Sequence, residues 1–205
     1  MKLLVATRND GKTRELRELF TGLPFQLVFP AEQFLERLPE EADLERGTSF
    51  AENAVAKARY FAKRSGKATL AEDSGLEVDA LEGAPGVFSA RWAAMHGAGE
   101  GDAANNTLLL ERLRDVPEER RSARYRCVVA YLETPGGKPQ LVEATCEGRI
   151  LAAPRGSGGF GYDPLFFSTD LQQTFAEAPP PAKHRVSHRG RATRALIEVL
   201  LRRSR

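Results

Sequence analysis

Apolar residues occur first with the spacing of strands and then with that of helices, and this alternation repeats. Short continuous apolar runs predict buried strands, whereas apolar residues three and four apart predict one buried helix face. The predicted strands are Leu3–Thr7, Phe25–Phe29, Ala68–Ala71, Leu76–Leu81, Cys127–Leu132 and Leu141–Thr145. The predicted helices are Lys12–Phe20, a helix opened by Ser49 and ended by Gly66, Asn105–Arg114, and one from about Arg191 to Arg202.

Turn signals separate these elements. Ser49-Phe50-Ala51-Glu52 is a capping box, and Gly66 is a typical helix stop. Pro135-Gly136-Gly137 predicts a hairpin between the last two strands. The acidic stretch Glu36–Arg46 and the prolines Pro179–Pro181 are predicted to be loops.

This order of elements predicts an α/β fold with a mixed sheet, because strand–helix alternation is followed by a hairpin. The sequence has no internal repeat and no linker long enough to divide it. Residues 1–205 are therefore expected to form a single domain with two lobes. A chain of this length buries about 70% of its unfolded surface, so it needs no disulfide framework.

Composition and charge exclude several classes of protein. With 41% hydrophobic and 28% charged residues, the chain is not a disordered tail, a collagen-like repeat or a coiled coil. The net charge of +2 gives no support to a general nucleic-acid binder. Apolar runs are too short to span a bilayer, and Arg8 ends the N-terminal one too early for a signal peptide. We expect a soluble cytoplasmic protein with Cys127 and Cys146 as reduced core thiols.

The segment Thr7–Lys12 joins the first predicted strand to the first predicted helix. Free amides and the positive helix end make such a junction an anion site, and Lys12 adds a charge for a phosphate. With Thr13 the segment resembles a Walker A loop, but Ala6 stands where that loop needs its first glycine. An ordinary turn with a solvated lysine explains the same residues.

Glu72-Asp73-Ser74-Gly75 follows a predicted buried strand. Adjacent side chains of an extended chain point to opposite sides, so at most one of the two carboxylates enters a given pocket. A carboxylate in a loop at a strand end is suited to hold Mg²⁺ or to orient water, and Glu45 is a candidate second ligand. The alternatives are a simple Asp-Ser-Gly turn and a solvated glutamate.

Two further segments carry candidate ligand-binding chemistry. Glycines around Phe160 and Tyr162 allow close approach to a planar ligand, and Asp163 can accept a hydrogen bond from a ring N–H. A buried glycine-rich bend would need the same glycines. Near the C-terminus, Lys183 precedes Ser187-His188-Arg189-Gly190, whose donors can reach a keto oxygen or a phosphate. A basic tail is the alternative there.

Five motifs follow one another in a distinctive order. They are Thr-x-Asn-x-x-Lys from Thr7, Glu-Asp-Ser-Gly-Leu from Glu72, Gly-Ala-Pro-Gly-Val-Phe-Ser-Ala-Arg from Gly83, Gly-Gly-Phe-Gly-Tyr-Asp-Pro from Gly158 and Ser-His-Arg-Gly from Ser187. Together they closely resemble the inosine triphosphate pyrophosphatase family, also described as XTP/dITP diphosphatases, over nearly the whole chain. Arg8, Glu72 and Pro179–Ala182 depart from the common pattern of that family.

The resemblance implies an elongated mixed β-sheet flanked by helices, with two lobes and a nucleotide-binding cleft between them, in a homodimer. It implies Mg²⁺-dependent hydrolysis of ITP, dITP and XTP to the monophosphate and pyrophosphate, which keeps these bases out of DNA and RNA. The implied partners are small purine nucleotides, with neither nucleic acid nor membrane.

The resemblance also assigns site residues. Asp73 is implied as general base and metal ligand, Glu45 as the second metal-site acid, and Lys12 as a catalytic charge. Two acids near one metal are coupled, so the sequence leaves open which carboxylate is the base. The implied substrate-binding residues are Thr7, Arg8, Asn9, Asp10, Gly11, Lys12, Ser74, Phe160, Gly161, Tyr162, Asp163, Lys183, His188 and Arg189.

Two other functions compete with this one. A P-loop NTPase using Lys12 and Thr13 would release orthophosphate, whereas cleavage at the α-phosphorus releases pyrophosphate. A nucleic-acid-binding module using the basic C-terminus would lose affinity steeply with salt and show no turnover.

Overall fold

The computed structural model describes residues 2–203, within which the chain forms seven strands and six α-helices. The strands are β1 (Lys2–Val5), β2 (Gln26–Val28), β3 (Thr69–Val78), β4 (Ser122–Leu132), β5 (Gln140–Ile150), β6 (Phe166–Ser168) and β7 (Gln173–Thr174). The helices are α1 (Asp10–Leu19), α2 (Phe50–Ser65), α3 (Trp92–Met95), α4 (Gly101–Arg112), α5 (Pro180–Val186) and α6 (His188–Arg203).

The strands form one mixed sheet in the order β2-β1-β3-β4-β5-β6-β7. β1 is parallel to both β2 and β3, with Leu4 opposite Val28 on one side and Thr69 on the other. β6 is antiparallel to both β5 and β7, with Phe167 opposite Arg149 and Thr174. The predicted α/β fold with a mixed sheet is confirmed.

The chain divides into two compact units. The first unit contains the residues up to Asp73, Cys127–Glu143 and the residues from Ala192 onward. The second unit contains Ser74–Arg126 and Ala144–Arg191. Each unit is therefore assembled from segments that are distant in sequence.

The core of the first unit follows the apolar patterns closely. The continuous run in β1 is fully buried at Leu3 and Leu4. Ser49 caps α2 by accepting a hydrogen bond from the Glu52 amide, and Gly66 ends the helix with a φ of 66°. The face of α2 that carries Ala54, Ala58 and Phe61 is buried, and α2 contacts β1.

The core of the second unit is a cluster of aliphatic and aromatic side chains from β3, α4, β4, β5 and β6. Leu76, Leu109 and Phe166 are fully buried in it, and the Tyr125 ring packs on Phe166 with centroids 4.7 Å apart. The two cysteines are free and buried, as predicted. Burial raises the pKa of the Cys146 thiol to about 11, which disfavours the thiolate form at neutral pH.

Several element boundaries differ from the predictions. β3 is one uninterrupted strand, so the predicted break between Ala71 and Leu76 is wrong. The predicted loop at Pro179–Pro181 begins helix α5 instead, because a proline at the first helical position already has helical φ and loses no hydrogen bond. Part of the predicted acidic loop is a 3₁₀ helix, Pro39–Asp43. The strands β6 and β7, at one end of the sheet, have three and two residues, too few to show an alternating pattern.

Candidate active site

The junction between β1 and α1 is short and polar. The Asn9 side chain caps α1 by accepting a hydrogen bond from the Lys12 amide (2.9 Å), and the Thr7 hydroxyl accepts one from the Asn9 amide (3.2 Å). The helix therefore begins at Asp10, two residues before the predicted start, with Gly11 in its first turn. Amides in the first turn of a helix have no intrahelical acceptor, and the helix dipole favours an anion there.

Lys12 lies beside an acid of the central strand. Its ammonium is 3.3 Å from Glu72 Oε1, and the Glu72 side chain is almost completely buried. The Cys127 thiol is 3.5 Å from the other oxygen of Glu72. The structure therefore brings the end of the Thr7–Lys12 segment to β3 through a charge pair.

Arg8 lies in the same segment but contacts a different acid. Its guanidinium donates to both carboxylate oxygens of Glu41, at 2.6 and 2.7 Å. It also donates to the Leu35 carbonyl at 2.9 Å. Arg8 thus contacts the segment that precedes Glu45, and its assignment to the substrate stays a prediction.

Glu72 and Asp73 lie inside β3 rather than in a loop at its end, which corrects the prediction. β3 is flanked by β1 and β4, and a central strand is buried on both faces. The polar sequence indicated a turn, but hydrogen-bonded partners on both sides allow these acids to be buried in the strand. Adjacent carboxylates do face different partners, as predicted: Glu72 contacts Lys12, and Asp73 contacts residues of α2.

Asp73 is held by two side chains of α2. Asn53 Nδ2 donates to one carboxylate oxygen (2.9 Å), and Lys57 Nζ donates to the other (2.8 Å). The same ammonium donates to Glu45 Oε1 at 2.7 Å. Burial alone would lower the pKa of Lys57, but the charges of Asp73 and Glu45 outweigh burial and raise it. The two predicted metal-site acids therefore meet at one cationic group.

Asn53 and Lys57 are not among the site residues predicted from the sequence. Both residues are buried, and their spacing of four places them on the same face of α2. This face also carries Ala54, Ala58 and Phe61, so a lysine and an asparagine interrupt an apolar stripe of a well-capped helix. That interruption was the available signal, because a buried lysine requires an acidic partner.

In the second unit, Phe160–Asp163 is held at every residue. The Phe160 amide donates to Asp163 Oδ2 (2.9 Å), and the Tyr162 hydroxyl donates to the Ser89 carbonyl (2.9 Å). Gly161 donates its amide to Asp102 (2.6 Å) and accepts from Asn106 at its carbonyl (3.0 Å). Tyr162 is buried and hydrogen-bonded within the protein, whereas the half-buried Phe160 ring is the one suited to stack on a ligand.

The glycines of this segment are required by internal packing. A Cβ at Gly159 would overlap the Asp163 carboxylate, and Gly159 has a φ of 72°. A Cβ at Gly156 or Gly158 would press on the backbone of Ala176. The bend proposed as an alternative therefore accounts for these three glycines.

The basic residues near the C-terminus meet the same segment. Lys183, in α5, donates to Asp163 Oδ2 at 2.5 Å and lies 5.2 Å from the centre of the Phe160 ring. Arg189, only 2% exposed, donates to the Ser74 hydroxyl (3.1 Å) and lies 5.4 Å from the same ring centre. The neighbouring His188 ring stacks on Tyr125 with centroids 4.6 Å apart. His188 and Arg189 begin α6 instead of preceding it.

A family model described as the Ham1 family matches residues 3–199. The chain belongs to the Ham1 family. Relatives named dITP/XTP pyrophosphatase include those of Geobacter sulfurreducens, 49% identical over 97% of this chain and 96% of the relative, and Desulforamulus reducens, 47% identical over 98% and 96%. The structure of a HAM1 protein from Coxiella burnetii has a TM-score of 0.85 at 38% identity, and the match covers 98% of this chain and 99% of that one.

The Ham1 assignment agrees with the geometry at the start of the chain. Ala6 donates its amide to the Leu70 carbonyl (2.7 Å), so it belongs to the pairing of β1 with β3 and not to a loop. Only Thr7–Asn9 then remain before α1, too few residues to wrap phosphates as a Walker A loop does. Across residues 2–203, no helix is long and apolar enough to cross a membrane.

Proposed function

We propose that this protein hydrolyses deaminated purine nucleoside triphosphates, such as ITP, dITP and XTP, to the monophosphate and pyrophosphate. Relatives with 47% and 49% identity over nearly the full length are named dITP/XTP pyrophosphatase. The observation that carries the proposal is the convergence of Asp73 and Glu45 on the Lys57 ammonium. Two carboxylates directed at one cationic position can serve a metal-assisted hydrolysis of a polyphosphate.

The residues present fit a magnesium ion. Mg²⁺ prefers oxygen ligands and is usually held by one or two carboxylates, with waters and substrate phosphates completing its coordination. Asp73 and Glu45 would supply the two carboxylates. Among residues 2–203, no group of three or more His, Cys, Asp or Glu side chains is placed to hold a metal ion, so waters and substrate phosphates would supply the other ligands. When bound, the ion would neutralise the charge that develops on the phosphoryl oxygens.

The residues of the first unit would then carry the chemistry. The first turn of α1 and the Lys12 ammonium bind the triphosphate and compensate its charge. A water attacks the α-phosphorus, its oxygen bonds to phosphorus, and the bond to the departing pyrophosphate breaks. Asp73 accepts or orients the proton of that water. Lys57 and Asn53 fix the orientation of the Asp73 carboxylate by donating to its two oxygens.

The residues of the second unit would select the base. Hypoxanthine and xanthine carry an acceptor at O6, whereas adenine carries an amino donor there. A buried donor from Arg189 would pair with O6 and would be left unmatched by adenine, which can cost about 10⁴-fold in kcat/KM. The Phe160 ring would stack on the base, with Asp163 and Lys183 fixing the backbone and charge around it.

The remaining expectations belong to this proposal too. The protein would work as a homodimer in the cytoplasm and would remove deaminated purine triphosphates before they enter DNA or RNA. The resemblance to the pyrophosphatase family supports these three points.

One assay tests the proposal. The purified protein is incubated with Mg²⁺ and a panel of about eight nucleoside triphosphates, and the products are identified. We expect monophosphate and pyrophosphate from ITP, dITP and XTP, with far slower turnover of ATP. Release of orthophosphate, or equal rates on ITP and ATP, would overturn the proposal.

A further inference from the structure

The segment from Ala31 to Ser49 is unusual in that none of its apolar residues belongs to the buried core. It contributes no side chain to a core, and its only regular structure is two short 3₁₀ turns. Yet it carries Glu45, which the ammonium of Lys57 joins to Asp73. Since its leucines Leu35, Leu38 and Leu44 are only partly buried, we infer that polar contacts largely determine where Glu45 lies.

After Glu45, the amides of Gly47 and Thr48 donate to Asn53 and Glu52 of α2, both at 2.8 Å. Before Glu45, the polar contacts centre on Glu41. Its carboxylate accepts hydrogen bonds from Arg8 Nε (2.6 Å), Arg8 Nη2 (2.7 Å), Arg64 Nη1 (3.2 Å) and the Leu38 amide (3.3 Å). The two arginines also donate to backbone carbonyls of the segment, Arg8 to Leu35 and Arg64 to Glu36, both at 2.9 Å. Arg8 and Arg64 thus bind the segment through side chain and backbone together.

The environment of this cluster makes it more than a surface ion pair. The Glu41 side chain is only 7% exposed, and that of Arg8 is 25% exposed. Arg8 lies over the Phe61 ring of α2 at 5.7 Å, and Arg64 lies over Tyr60 at 5.4 Å. Burial by itself would raise the pKa of Glu41, but the hydrogen bonds from Arg8 and Leu38 and the two arginine charges lower it. A bidentate, partly desolvated pair of this kind holds geometry better than an exposed one.

We propose that Arg8 is a positioning residue, not a triphosphate ligand: its pair with Glu41 holds the 31–49 segment so that Glu45 stays beside Lys57 and Asp73. We call this Arg8–Glu41 pair the clamp. The importance of Glu45 for turnover rests on the function proposed above, whereas the existence of the clamp does not. Arg8 follows β1 and precedes α1, so the clamp also joins the predicted phosphate-binding junction to the segment that supplies the second acid.

Amide hydrogen exchange on the protein alone tests the clamp. The variants are Arg8→Lys, which keeps the charge but loses the bidentate contact, Glu41→Gln, and the double variant. Asp43→Asn is the matched control, because it removes an equal charge from an exposed pair with Arg46 in the same segment. Amides of residues 35–46 should exchange at least about tenfold faster in both single variants than in the unmodified protein, and at the unmodified rate in the control. In the double variant they should exchange hardly faster than in either single variant, because the two residues act as one pair. Unchanged exchange in Arg8→Lys and Glu41→Gln would overturn the clamp.

Steady-state kinetics with ITP separates positioning from substrate binding. If the Arg8–Glu41 pair positions Glu45, Arg8→Lys and Glu41→Gln should both raise the Mg²⁺ concentration needed for half-maximal rate by about threefold to tenfold. The KM for ITP at saturating Mg²⁺ should change by less than about twofold. A raised KM in Arg8→Lys with normal kinetics in Glu41→Gln would instead make Arg8 a triphosphate ligand and overturn the proposal. If the unmodified protein releases no pyrophosphate from ITP, the proposed function fails, and hydrogen exchange still decides the clamp.

Discussion

At the scale of single residues, the chemistry depends on pairs that join distant parts of the sequence. Asp73 alone is one more acid after a hydrophobic run. Lys57, sixteen residues before Asp73, donates to the Asp73 carboxylate and also to Glu45. These contacts fix the orientation of the Asp73 carboxylate and place a positive and a negative charge beside it. Side-chain partners of this kind decide whether a carboxylate is a solvated charge or part of a site.

Asp73→Asn tests the proposed general base. Asparagine keeps the shape but can neither accept the proton nor carry the charge, so kcat for ITP should fall by at least about 10²-fold. Asp73 is buried within β3 and pairs with Lys57, so the variant should also lose free energy of unfolding. We expect this loss to be at most about 3 kcal/mol, because Glu45 still pairs with Lys57. The measurements are pyrophosphate release and denaturant unfolding.

The control for Asp73→Asn is Asp79→Asn. Asp79 lies just after β3, and its carboxylate is 2.9 Å from Arg124, outside the proposed machinery. Its variant should retain the wild-type rate on ITP. A near wild-type rate in Asp73→Asn would remove Asp73 from the catalytic role.

Arg189→Ala tests base selection. If Arg189 donates to O6, the variant loses a charge-assisted hydrogen bond to ITP, worth about 1.5–3 kcal/mol, and kcat/KM for ITP should fall accordingly. The poor kcat/KM for ATP should stay level or rise. The ratio of ITP to ATP rates should therefore fall by about tenfold to a hundredfold. Because both rates come from one preparation, the ratio is insensitive to partial unfolding around this buried residue. Equal losses on both substrates would assign Arg189 to packing or to the triphosphate field.

At the scale of elements, α4 positions a loop that it does not belong to. Asp102 and Asn106 are four residues apart, so they face the same side of the helix. Together they hold the amide and the carbonyl of Gly161. One helix face thereby holds the residue that follows Phe160, whose ring is proposed to stack on the base.

Removing the α4 contacts should weaken substrate binding more than chemistry. Asp102→Ala and Asn106→Ala should each raise the KM for ITP by about threefold to tenfold, the effect of losing one hydrogen bond, with kcat within about twofold. Glu111→Ala, at an exposed position of the same helix, is the control and should change neither constant. A fall in kcat at unchanged KM would show that the loop acts on the chemical step instead.

At the scale of the whole molecule, each of the three acids Glu45, Glu72 and Asp73 already has a cationic partner within the protein. Lys57 pairs with both Asp73 and Glu45, which together keep one net negative charge, and Lys12 pairs with Glu72. An ion that binds weakly without substrate adds little to the free energy of unfolding, yet it changes turnover because it acts on the phosphates of the substrate. Stability and activity should therefore respond differently to chelation.

Chelation with EDTA tests this separation. We expect ITP hydrolysis to fall to background and to return on addition of Mg²⁺, while Tm measured without substrate shifts by less than about 2 °C. Calorimetry or fluorescence gives Tm on the same samples. A loss of several degrees on chelation would indicate a structural metal and contradict the compensation by Lys57.

The sequence by itself determined the features that depend on neighbouring residues. The buried run of β1, the capped ends of α2 at Ser49 and Gly66, and the mixed character of the sheet all follow from local apolar spacing, caps and turns. The order of short motifs also identified the family, because each motif is contiguous. These signals act over a few residues and are complete within the chain segment that carries them.

Only the tertiary structure decided which distant side chains meet. The polar sequence at Glu72–Asp73 indicated a turn locally, yet flanking strands and buried partners keep it in β3. In the sequence Lys57 is an ordinary helical lysine, whereas in the structure it contacts both Asp73 and Glu45. Likewise, Arg8 pairs with Glu41, which is thirty-three residues away. The physical reason is that the free energy of a buried charge depends on its partners, and local spacing does not specify those partners.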